Sequence, residues 1–136
     1  MKNYTLFILL AGILLYTACS QDKDSENFKI LTGHIWTSDS LLVEGHDAST
    51  PGGVLANFKG DVKFNDDGTG SFGNYTGTWR FAFNETQLII TSPDLPIPLT
   101  TRIVELKDNS LKVTTSIPDP QNPLASLNIR MTFKPK

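Results

Sequence analysis

The stretch "GTWRFAF", residues 77–83, sets Trp79, Phe81 and Phe83 on one side of an extended chain and Thr78, Arg80 and Ala82 on the other. Successive side chains of a strand point to opposite faces, so an aromatic–polar alternation of this kind describes a half-buried β-strand. Farther along, "ASLNIRMTF" (125–133) repeats the pattern: Leu127, Ile129, Met131 and Phe133 alternate with Ser126, Asn128, Arg130 and Thr132. Between them lie "QLIITS" (87–92), "TTRIVEL" (100–106) and "SLKVTTSI" (110–117), the last with Leu111, Val113, Thr115 and Ile117 in register. The fold class is therefore all-β and antiparallel.

Turn chemistry falls where such strands need it. "NDDGTG" (65–70), "NET" (84–86) and "KDNS" (107–110) are short and rich in Asn, Asp and Gly. They divide the chain into about eight strands, near 34–43, 58–65, 70–75, 77–84, 87–92, 99–107, 110–117 and 124–134. The one long connection is "GHDASTPGGVLAN" (45–57). Strands in simple succession favour an up-and-down meander, and closing it into a barrel removes its exposed edges. A β-sandwich is the competing arrangement, but it needs longer crossing connections than these. Helix is expected to be slight: "ENFKILTG" (26–33) reads as a short turn at most.

The N-terminus carries a different message. Lys2 precedes the uninterrupted apolar run "LFILLAGILL" (6–15), which is too short for a membrane span of about 20 residues. Thr17 and Ala18 then supply small residues ahead of Cys19, the only cysteine. The ensemble resembles a bacterial lipoprotein signal, with Tyr16 standing where that family usually has Leu. The resemblance implies that residues 1–18 are removed and that Cys19 becomes an acylated N-terminus anchored in a bilayer, most plausibly the outer membrane of a Gram-negative envelope. Lone thiols have no disulfide partner in an oxidising compartment, which fits an anchor better than a redox centre. An ordinary secretory signal is the blander alternative. Residues 19–28, beginning "CSQDKDSEN", are polar and acid-rich and read as a flexible linker.

Removing residues 1–18 leaves 118 residues, enough for one domain over 29–136. It takes away one lysine, leaving 11 basic against 14 acidic side chains, a net charge of −3. Arg80, Arg102 and Arg130 stand apart in sequence, so no basic block argues for nucleic acid. No second apolar stretch approaches membrane-spanning length, and a monomer is expected.

Four segments in order suggest a family: "ILTGHIWTSDS" (30–40), "VKFNDDGTGSF" (62–72), "GTWRFAFNETQLIIT" (77–91) and "RIVELKDNSLKV" (102–113). Together they resemble the lipocalin-like domains of Gram-negative lipoproteins over nearly all of 29–136. Gly33 and Trp36 are separated by two residues where true lipocalins have one, and the later lipocalin motifs are missing. The resemblance implies an eight-stranded lipocalin-like barrel more firmly than any ligand.

Chemistry-bearing residues are few. His34 and His46 are the only histidines, and "EGHD" (44–47) brings two carboxylates beside one of them. A metal site needs three or four convergent ligands, and this loop offers nothing to fix them, so no metal or cofactor is expected. "GTGSFG" (68–73) reads as a turn entering a strand rather than a phosphate loop. No enzymatic activity is expected. Inward-pointing Trp36, Phe64, Trp79, Phe81 and Met131 are the candidate ligand-binding residues, and plain core is the alternative for each. Eight strands enclose just enough room to be filled by side chains or to hold one small ligand. The abundance of large interior residues favours a mostly filled barrel with a shallow pocket at one mouth, lined by the 45–57 loop and "SPDLPIPL" (92–99). Two functions follow as expectations. One is a lipid-anchored binder of a small apolar or amphipathic ligand at the mouth. The other is a structural or interaction lipoprotein whose loops meet an envelope partner.

Overall fold

The computed structural model describes residues 21–136; the expected signal 1–18 and acylation site Cys19 lie outside them. Every strand expected from alternation is present. They are β1 (Ile35–Val43), β3 (Asp61–Phe64), β4 (Thr69–Phe72), β5 (Tyr75–Ala82), β6 (Gln87–Thr91), β7 (Leu99–Lys107), β8 (Ser110–Pro118) and β9 (Ser126–Pro135). The two-residue β2 (His46–Asp47) is an addition. Neighbours in this succession pair antiparallel, and β9 returns to β1 in register from Trp36↔Pro135 to Val43↔Ile129. The sheet is thus a closed eight-stranded barrel rather than a sandwich. On its other edge β1 pairs with β3 at residues 35–37 and with β2 at 42–43, so β2 covers the half that β3 leaves open. Glu44 and Gly45 turn between β1 and β2 in left-handed conformations, at φ 49° and 80°.

The segment "ENFKILTG", read as a turn at most, is a full two-turn helix, α1 (Glu26–Gly33). Ser25 caps it: the Phe28 N–H donates to Ser25 Oγ at 3.1 Å, which satisfies one of the helix's free N-terminal amides. Phe28 and Leu31, one turn apart, are both buried and plug one end of the barrel. Burial of two large side chains supplies what propensity alone does not give so short a helix. At the helix end, Trp36 Nε1 donates to the Leu31 carbonyl at 3.1 Å. The linker expected to be flexible is tied down from Gln21 onward. The Phe81 N–H donates to Gln21 Oε1 at 2.9 Å, and Ser25 and Asn27 donate to the Glu85 carboxylate at 2.7 and 3.3 Å.

Strand β5 needs its glycine. Gly77 crosses β6 so closely that a Cβ there would collide with the Thr91 carbonyl oxygen. Two residues on, Trp79 enters the interior and meets Phe28, Phe64 and Phe81 with ring centroids 5.5, 5.6 and 5.5 Å away. Phe83 does not continue that face, contrary to the alternation. The strand stops at Ala82, and Phe83, Asn84 and Glu85 take left-handed conformations at φ 51°, 55° and 61°, leaving Phe83 74% exposed. Inside the barrel, Val62, Phe64, Phe72, Leu88, Leu111, Val113, Met131 and Phe133 are buried. The void left among them is about 20 Å³, roughly what one water occupies. The interior is filled.

Candidate functional site at the open mouth

With α1 closing one end, access is set by the segments at the other. The first is the connection between β2 and β3. Asp47 starts it with an Asx turn: its Oδ1 accepts from the Ser49 N–H at 2.9 Å and Ser49 Oγ at 2.6 Å, bonds that hold the carboxyl below its ordinary pKa. The Leu55 N–H donates to the Ala48 carbonyl at 3.0 Å, and a 3-10 turn follows at Ala56–Phe58. Leu55 and Phe58 are buried by this return and cap the core from above, with the Phe58 ring 4.8 Å from that of Tyr75.

The second segment joins β6 to β7. Its three prolines, Pro93, Pro96 and Pro98, have no N–H to donate to a ladder, so the chain leaves the sheet as a loop. Ser92 is buried at its start and accepts from the Leu95 N–H through its carbonyl at 3.1 Å. Ile97, held between two prolines, is 65% exposed.

Between the two segments lies a groove of about 600 Å³. Val54, Leu55 and Phe58 form one wall, Leu95 to Leu99 the other, and Ile117, Ile129 and Met131 the floor. This size and apolar lining suit a small ligand. Beside the groove the strand ladder is interrupted. The β7–β8 ladder ends at Arg102↔Thr114, while β8 goes on pairing with β9 as far as Pro118↔Ser126 and Leu99–Thr101 of β7 stay with β6. The two strands therefore part at the mouth. Thr115 Oγ1 bridges the gap by donating to the Thr100 carbonyl at 2.7 Å, so a side chain replaces the missing ladder bond.

Of the residues expected to bind ligand, Met131 alone lines this groove. Trp36, Phe64 and Trp79 are at most 3% exposed and belong to the core. Both indoles are committed to structure, Trp36 to Leu31 and Trp79 to the Asn65 carbonyl at 2.9 Å. Phe81 is half-buried against Trp79 at the helix end, away from the groove. The two flanking segments expected at the mouth, 45–57 and 92–99, supply Val54, Ile97 and Leu99, whereas Ile117 of β8 was not expected there. The sequence signal for these residues is an aliphatic side chain set beside glycine or proline.

The histidines stand outside the groove. His34 follows α1, with its ring 5.2 Å from Trp36 and Nε2 3.4 Å from Asp108. His46 is exposed in β2. Among the described residues, no three of His, Cys, Asp and Glu converge as a metal site would require. Neither a protein-family model nor a curated protein matches the sequence.

Proposed function

We propose that the protein is a lipid-anchored, non-enzymatic binding protein of the bacterial envelope that holds a small apolar or amphipathic molecule in the mouth groove. The observation that carries this reading is the contrast between the two spaces: a filled interior of about 20 Å³ and an apolar groove of about 600 Å³. A chain whose only task was to display loops would have no need to leave Ile97 and Val54 65% and 49% exposed around a concavity.

The anchor rests on the sequence: the apolar run 6–15, Thr17-Ala18 and Cys19. Two or more acyl chains make membrane attachment durable. Gln21 is bonded at the helix-plugged end, and two extended residues span only about 7 Å. A lipid on Cys19 therefore draws the plugged end to the bilayer, and the groove opens on the side facing away from it. That geometry suits capture of a dissolved molecule.

Titration of a solvatochromic apolar dye tests the binding reading. Wild type should bind one dye, and Ile117→Asp, which puts a charge on the groove floor, should abolish binding while the thermal transition remains cooperative. A wild-type protein that binds no dye would favour the loop-presenting alternative. For the anchor, Cys19→Ser should eliminate metabolic labelling by an alkyne fatty acid; equal labelling of both proteins would refute it.

A further inference from the structure

The apolar groove has a neighbour across the parted strands. On the outer face of the barrel a second concavity of about 670 Å³ begins, and the two share Thr100, Thr115, Ser116 and Ile129 as a common wall. Its lining includes the polar side chains of Arg102, Asn128 and Arg130. Arg102 of β7 lies opposite Thr114 of β8, and Thr114 lies opposite Arg130 of β9. Strands are spaced about 4.8 Å apart, so the two arginines stand about 10 Å from each other across one threonine, within joint reach of a single small group.

Among the described residues no carboxylate lies within 4.0 Å of Arg102 or Arg130, although Lys107, Lys112, Lys134 and Lys136 each have an acidic partner. Glu44, in the turn between β1 and β2, is engaged with the backbone: its Oε1 accepts from the Asn128 N–H at 2.6 Å. Planar guanidinium forks match carboxylate and phosphate oxygens better than any other cation in a protein.

We infer that the groove takes a single-chain amphipathic anion, with its aliphatic tail between Leu99, Ile117 and Met131 and its anionic head outside the parted strands on Arg102 and Arg130. The proposal rests on the groove being a binding site and adds the class of its ligand. A neutral apolar molecule leaves the arginines unused. A small anion without a tail leaves the groove empty. A molecule with both parts occupies both concavities, its two parts meeting over the shared residues Thr100 and Ser116.

Calorimetric titration of residues 20–136, which include every described element of the barrel, separates the contributions of head and tail. The probes are decanoate, decanol, decyltrimethylammonium and acetate. Decanoate should bind about tenfold or more tighter than decanol, as charge-assisted hydrogen bonds to a head would give, with the cation weakest and acetate undetectable. The double variant Arg102→Gln/Arg130→Gln, made at two exposed positions, should keep its melting temperature and bind decanoate no better than decanol. Equal affinity for decanol and decanoate in wild type would overturn the head site while leaving the apolar groove standing. Acetate binding as tight as decanoate would also overturn it, as a plain anion site. Decanoate binding that the double variant leaves unchanged would place the head elsewhere. Binding of none of the four would remove the groove reading together with the proposal.

Discussion

The indole nitrogen of Trp36 donates to the Leu31 carbonyl oxygen at 3.1 Å, joining the first strand of the barrel to the last turn of the helix that closes it. Both residues are fully buried, so that carbonyl has no route to water. Trp36→Phe keeps most of the ring but removes the donor, and an orphaned buried acceptor costs about 1–3 kcal/mol. Chemical denaturation should show a loss in that range. Hydrogen exchange should show faster opening of α1 than of β8 and β9.

Trp79 is the second test of the closed end. Its ring touches Phe28, Phe64 and Phe81, and its Nε1 donates to Asn65. Trp79→Ala should destabilise the barrel by about 3–5 kcal/mol, a large part of what a domain of this size possesses. Below its lowered melting temperature the variant should still bind the apolar dye, because Trp79 is at the opposite end from the groove. Urea unfolding monitored by circular dichroism, with dye titration alongside, measures both.

Glu105 contributes to the stability of the β7–β8 hairpin in a pH-dependent way. Hydrogen bonds from Ser110, Lys107 and Lys112 hold its carboxyl down from 4.5 to about 2. A depressed folded-state pKa means the ionised form is favoured by folding. The contribution is therefore complete above about pH 4.5 and is lost as the pH falls through about 2. Carboxyl NMR titration should find the Glu105 midpoint near 2 in wild type. In Ser110→Ala, which removes the largest cause, the midpoint should move upward.

The barrel was legible in the sequence because its information is local. Alternation such as Leu127, Ile129, Met131 and Phe133 states which face is buried, and turn residues mark where each strand ends. Alternation says nothing about what fills the space it encloses. Trp36, Phe64 and Trp79 point inward as expected, yet whether they line a pocket depends on α1, whose apolar signal is Phe28, Ile30 and Leu31 behind a Ser cap. Phe83 was misplaced for a related reason: its apolar character extends the pattern one step past the strand, and only the left-handed turn at 83–85 takes it outside. The arginine pair was hidden by register. Arg102 and Arg130 are far apart in sequence and become neighbours across Thr114 only when β7, β8 and β9 align. The flanks of the groove were legible from length and proline content, whereas the parting of β7 from β8 is a property of pairing and left no local trace.

The central claim is that ligand sits at the mouth of a filled barrel. Methyl NMR of Ile, Leu, Val and Met side chains during titration with decanoate tests it most directly, since the two compartments carry different methyl groups. The account predicts saturable shifts at Val54, Ile97, Leu99, Ile117 and Ile129, with Val62, Leu88 and Leu111 unmoved. Saturable shifts centred on Val62, Leu88 and Leu111 would contradict it, because they require a cavity where the structure has a packed core.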